Sequence, residues 1–119
     1  TGSEAFSEAN LNMSIEQHAR LNRAIAPAAA EAGLRVRGYV SAAVHCPFSG
    51  AVDHQHVANQ VAELLNVGCY EVSLCDTTGR GGVLAWQRLL EACMSHTTPD
   101  RLGLHIHNTC GQAGACILF

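Results

Sequence analysis

His105 and His107 are separated by one residue in the stretch Gly103-Leu104-His105-Ile106-His107-Asn108-Thr109-Cys110-Gly111-Gln112. A strand alternates its side chains between two faces, so both imidazoles project to one side while Leu104 and Ile106 project to the other. Two imidazoles converging from one strand end, with polar turn residues after them, form a geometry suited to holding a metal ion. The same spacing also describes two histidines lining a polar strand face, and H-x-H arises by chance in a chain with seven histidines. Asp76, in Asp76-Thr77-Thr78-Gly79, is a second candidate: a carboxylate at a strand end either does chemistry or holds a turn. The glycine-rich run 79–82 matches neither G-x-x-x-x-G-K-[ST] nor G-x-G-x-x-G, and the chain contains no lysine for a phosphate loop. It reads as a turn feeding a helix N-terminus.

The elements that would carry these residues follow from periodicity. Residues 1–13 lack a helical repeat and read as loop. Ser14 with Gln17 makes a capping box for a helix whose Leu21, Ala24, Ile25, Ala28 and Ala32 fall on one face, and Gly33 stops it. Pro27 lies inside this helix, which predicts a kink or break near residues 23–27. A strand follows near 36–41, placing Arg37, Tyr39 and Ser41 on one face and Val36, Gly38 and Val40 on the other. A loop marked by Pro47 and Gly50 leads to a helix capped by Asp53 with a Val57, Val61, Leu64, Leu65 stripe. The second strand, near 69–75, ends in Asp76-Thr77. A helix with Val83, Trp86, Leu89, Leu90 and Cys93 on one side leads past Pro99 to the third strand near 102–107, and residues 112–119 begin another helix.

Strands about 33 residues apart that alternate with helices are parallel and joined by crossovers. Each carries its unusual polar residues at its C-terminal end, where (β/α) barrels place their chemistry. An open doubly wound sheet would do the same near its switch point. The strands have one polar face (Arg37/Tyr39, Glu71/Ser73, His105/His107) and one apolar face, which favours the barrel over a sheet covered on both sides. The expected class is therefore α/β: about three strands and three to four helices of an eightfold barrel.

Composition narrows the partners. The 119 residues suffice for one domain, with 48% hydrophobic and 14% charged residues. A net charge of -3 leaves no footprint for nucleic acid, and no apolar run is long enough to span a bilayer. No charged and apolar leader opens the chain, so no signal peptide is expected. None of the six cysteines forms C-x-x-C, and Cys69, Cys75 and Cys93 sit in apolar patterns where free thiols behave as small hydrophobes. A reducing compartment is the expected setting: the bacterial cytosol, with the mitochondrial matrix as the alternative.

Taken together, Arg37-Gly38-Tyr39-Val40-Ser41, Cys46-Pro47-Phe48 with Gly50, the run 68–74 with Asp76-Thr77-Thr78-Gly79, and His105-Ile106-His107-Asn108-Thr109 with Gly111-Gln112 resemble 3-hydroxy-3-methylglutaryl-CoA lyases over nearly the whole chain. The H-x-H and D-T-x-G elements also occur in relatives such as isopropylmalate synthases, whereas R-G-Y-V-S followed by C-P-F is more particular to the lyases. The chain has Asn108 where the family commonly has Asp, and it lacks a proline often found near the helix start after Gly79.

The resemblance implies a TIM barrel that cleaves the acyl-CoA substrate into acetyl-CoA and acetoacetate with Mg²⁺ or Mn²⁺. It implies His105 and His107 as metal ligands, His105 also as a proton relay, Asp76 as an acidic residue beside the reacting centre, and Tyr39 and Ser73 as substrate contacts. None of the six cysteines matches the family's mobile catalytic one. By the same resemblance the three strands are the fifth, sixth and seventh of a barrel that needs about 250 residues. The expectation is thus a lyase segment, inactive by itself, whose full-length parent is a homo-oligomer. Two alternatives are a non-catalytic barrel remnant acting as an interaction module and a related acyl-CoA aldolase or condensing enzyme.

Overall fold

A computed structural model describes residues 1–118. The chain runs α1 (Glu4–Leu11), α2 (Ile15–Glu31), β1 (Arg37–Val40), β2 (His45–Cys46), β3 (Gly50–Ala51), α3 (His54–Asn66), β4 (Glu71–Asp76), α4 (Val83–Met94), a 3₁₀ turn at Pro99–Arg101, β5 (Leu102–Ile106) and α5 (Ala113–Leu118). The three expected strands form one parallel sheet in the order β1-β4-β5. β2 and β3 make a short antiparallel hairpin inside the segment read as loop.

Register fixes the two faces of the sheet. Tyr39 lies opposite Ser73, Ser73 opposite Gly103 and Cys75 opposite His105, so these residues share one face. Val72, Leu74 and Asp76 lie opposite Leu102, Leu104 and Ile106 on the other. Helices cover that second face over β1 and β4. Val40, Val72 and Leu74 are fully buried with Val57 and Val61 of α3 and Trp86, Leu89 and Cys93 of α4. Burying such side chains contributes roughly 1.5–3 kcal/mol each. On β5 the cover thins, and Leu104 keeps 40% of its surface exposed.

Three expectations are corrected. Residues 4–11 are helical: Ser3 caps α1 by accepting from the Phe6 N–H, and Asn12 ends it in a left-handed conformation at φ 53°. Ser7 is the helix's one buried residue, so too narrow a stripe faces inward for a helical repeat to show. This raises the count to five α-helices. Second, Pro27 does not break α2, which continues to Glu31. Pro27 and Arg23, whose carbonyl would have taken the missing N–H, are both exposed, so water can serve that oxygen. Third, the Leu21/Ile25 stripe does not pack. These residues are 47% and 60% exposed, and the buried residue of α2 is Ala26, which with His18, Asn22 and Ile25 lines a cavity shared with Gly38 and Tyr39 of β1 and Leu64 of α3.

Candidate metal and substrate site

The C-terminal ends of β4 and β5 bring the site together. His105 lies on β5 and His107 one residue beyond it, and their rings meet edge to face with centroids 4.9 Å apart. Their Nε2 atoms are 3.3 Å apart. Two ligands each about 2.1 Å from one ion sit roughly 3.0–3.4 Å from each other, so the pair is spaced as two donors to a single cation.

The tautomer of His107 follows from its other nitrogen. Nδ1 lies 2.8 Å from the Asp76 backbone oxygen, which can only accept, so Nδ1 carries the proton and Nε2 presents its lone pair. This is the outer-shell contact that orients ligating histidines. Without an ion between them, His105 Nε2–H donates to that lone pair. No group of three or more His, Cys, Asp or Glu side chains is arranged to hold a metal among the described residues. The chain therefore offers two nitrogen donors, and the remaining positions of a six-coordinate ion would fall to other oxygens.

Asp76 closes the end of β4. It is 1% exposed on the helix-covered face, and its carboxylate accepts from the N–H groups of Arg80 (3.2 Å) and Gly81 (2.9 Å). The side chain closes the β4–α4 turn, while the backbone oxygen of the same residue holds His107. A second clasp joins the same two loops. Gly79, at φ 67°, lies against Thr109, where an added Cβ would come within 2.4 Å of the Thr109 Oγ1. Asn108 Oδ1 accepts from the Ala113 N–H at 3.1 Å and caps α5.

The other named residues lie in the row below. Ser73 is buried between Tyr39 and Gly103 in the register, and Tyr39 keeps 51% of its surface exposed on the histidine face. Arg37 pairs with Glu71 opposite it on the same face, and its guanidinium lies 5.4 Å from the Tyr39 ring centroid. Of the chain's cysteines, Cys46 has the unusual surroundings. Burial pushes its thiol up, but hydrogen bonds from the Ser3 and Ser49 hydroxyls and the Phe48 and Ser49 N–H groups outweigh burial and bring it down to about 7.

The family model described as HMGL-like matches residues 1–119. The chain belongs to that family. It is 46% identical over 115 residues to the Pseudomonas aeruginosa 3-hydroxy-3-isohexenylglutaryl-CoA/hydroxy-methylglutaryl-CoA lyase, covering 97% of this chain and 38% of the relative. It is 45% identical over 118 residues to the mitochondrial hydroxymethylglutaryl-CoA lyase of Arabidopsis thaliana, covering 99% of this chain and 25% of that relative. The crystal structure of the Pseudomonas aeruginosa hydroxymethylglutaryl-CoA lyase superposes with a TM-score of 0.95 at 45% identity, over 98% of this chain and 39% of that one. This HMGL-like chain thus spans well under half the length of these relatives. Its three parallel strands and their helices match a part of the barrel in those lyases.

Proposed function

We propose that this chain supplies the fifth to seventh βα units of a divalent-metal-dependent lyase that cleaves 3-hydroxy-3-methylglutaryl-CoA into acetyl-CoA and acetoacetate. The observation that carries the reading is the convergence of His105 and His107 Nε2 atoms, with His107 oriented by the Asp76 carbonyl, in a chain of this family. The relatives' names supply the acyl-CoA substrate.

When bound, Mg²⁺ or Mn²⁺ would act as a Lewis acid on the substrate's oxygens. The chain's own residues then divide the work. His105 and His107 hold the ion through Nε2, which leaves His105 Nδ1 free to exchange a proton with substrate. Cleavage takes the proton from the tertiary hydroxyl, forms the ketone of acetoacetate, breaks the adjacent carbon–carbon bond and leaves its electron pair as the thioester enolate. Protonation of that enolate gives acetyl-CoA. Tyr39 and Ser73, one row beneath His105, would hold the substrate by hydrogen bonds, and Asp76, whose backbone oxygen supports His107, would be the acidic residue beside the reacting centre.

The compartment stays with the bacterial cytosol as our reading, with the mitochondrial matrix as the alternative; one relative comes from a bacterium and another is named mitochondrial. The parent barrel is taken to be a homo-oligomer. The deciding assay is acetoacetate release from 3-hydroxy-3-methylglutaryl-CoA by the complete barrel carrying this segment, with and without EDTA. Release that EDTA abolishes and Mn²⁺ restores is expected. Mn²⁺ binding without any release would sink the lyase reading and leave the aldolase or condensing relative.

A further inference from the structure

The polar face of the sheet carries an ion pair that the reaction scheme leaves unused. Arg37 and Glu71 face each other across β1 and β4, and their charged ends lean toward β5. A Cβ built on Gly103 would come within 2.6 Å of Glu71 Oε1 and 2.7 Å of an Arg37 guanidinium nitrogen. The pair therefore occupies the space that a side chain at 103 would fill, in the row of Tyr39 and Ser73 and beneath His105. From there the guanidinium lies 5.4 Å from the Tyr39 ring centroid, within reach of a cation–π contact. Tyr39 is half exposed, and nothing else described stacks on its ring.

We propose that Arg37 is a positioning residue that clamps the Tyr39 ring, steered by Glu71 and admitted by the bare backbone of Gly103. This rests on the reading of Tyr39 as a substrate contact. The chemistry favours arginine for the task. A planar guanidinium can pair with a carboxylate through its edge while it covers an aromatic ring with its face, whereas an ammonium group cannot do both. An unclamped phenol on an open sheet face samples several rotamers, and each misplaced one weakens a hydrogen bond that must be made at the reacting centre.

The clamp is testable in this chain without any turnover. The protein has two tyrosines, Tyr39 and Tyr70, and Tyr70 lies under a different guanidinium, with the Arg35 Cζ 4.0 Å from its ring centroid. Labelling with 3-fluorotyrosine gives two ¹⁹F resonances, assigned by Tyr39→Phe and Tyr70→Phe. Arg37→Gln and Glu71→Gln should each move the Tyr39 resonance at least about halfway to its denatured position, while the Tyr70 resonance stays in place as the control for folding. A Tyr39 resonance unmoved by both substitutions overturns the clamp.

Turnover then tests its purpose in the complete barrel. Arg37→Gln should lower kcat about tenfold with the Mn²⁺ requirement unchanged, and should add nothing further in a Tyr39→Leu background. Equal losses in both backgrounds would show that Arg37 does not act through Tyr39. No acetoacetate release by the unaltered barrel would instead sink the lyase reading and leave the resonance result standing.

Discussion

His107 donates its Nδ1–H to the backbone oxygen of Asp76 across 2.8 Å, so one residue of the β4–α4 turn fixes a ring on the neighbouring strand. The Asp76 carboxylate meanwhile holds two N–H groups of its own turn, one of them buried. Asp76→Ala should therefore leave the Gly81 N–H without a partner and cost about 1–3 kcal/mol in a denaturant melt. The backbone oxygen that holds His107 remains in this variant, so Mn²⁺ binding should weaken only as far as the loosened turn shifts that oxygen. A melt unchanged by Asp76→Ala would show that these two hydrogen bonds do not hold the turn.

The two-nitrogen donor set sets the order of metals. Imidazole suits later first-row ions better than Mg²⁺, which prefers oxygen and keeps its waters. Titration calorimetry on the 119-residue chain should rank Ni²⁺ above Mn²⁺ and Mn²⁺ above Mg²⁺, with Mg²⁺ binding weak. His105→Ala or His107→Ala should each reduce Ni²⁺ binding to background. Tyr39→Phe should leave it intact, since a phenol is a poor ligand at neutral pH.

Much of this arrangement can be read from residue order, and the parts that cannot have identifiable reasons. Strand spacing and the Val40, Val72 and Leu74 face follow from alternation alone, and these residues are buried as alternation requires. Alternation also carries the signal that places Asp76. Counting by twos from Ser73 reaches Cys75, so Asp76 belongs to the helix-covered face with Leu74. α1 escapes because a single buried serine makes no stripe. The Arg37–Glu71 pair escapes because register, which sequence does not set for strands joined by long crossovers, decides who faces whom. The α2 stripe misleads for a tertiary reason: Leu21 and Ile25 are apolar and periodic, yet among the described residues they stay 47% and 60% exposed.

Those uncovered residues have a consequence in solution. β1 and β5 each pair on one side only within the described sheet, and Leu21, Ile25 and Leu104 are exposed beside them. Open edges and apolar faces recruit other chains. Size-exclusion chromatography of the 119-residue chain should show concentration-dependent self-association, and Ile25→Lys should reduce it. A compact monomer at all concentrations would contradict this.

Gly79 joins the two loops of the site by letting Thr109 approach. Its φ of 67° lies in the left-handed region, and the space where a Cβ would stand is filled by Thr109. Gly79→Ala meets both obstacles at once, so the cost should exceed the ~1 kcal/mol of backbone strain alone. The displaced Thr109 should carry the β5–α5 loop with it and weaken Ni²⁺ binding. Full retention of binding would show that the loop contact does not position the histidines.

The last prediction concerns Cys46, whose thiol is held at about 7 by four donors, the Ser3 and Ser49 hydroxyls and the Phe48 and Ser49 N–H groups, although burial opposes it. A group whose folded-state value is depressed stabilises the fold above its unfolded value and loses that contribution as pH falls through the folded one. An unfolded cysteine titrates near 8.5. Below about pH 7 the thiol is protonated in both states and contributes nothing. Between about 7 and 8.5 the folded state releases the proton first, so the Cys46 contribution, read as the difference between the natural chain and Cys46→Ala, should rise with pH across that window and level off above it. Urea melts at intervals from pH 6.5 to 9 should show this rise in the natural chain and lose it in Cys46→Ala. Thiolate absorbance near 240 nm should show one group titrating near pH 7 that disappears in the same variant. Ser3→Ala removes the hydroxyl donor 3.1 Å from Sγ, so it should move that midpoint upward while Cys46 remains present. An unmoved midpoint in Ser3→Ala would show that the Ser49 hydroxyl and the two backbone N–H groups of the β2–β3 turn hold the thiolate without help from Ser3.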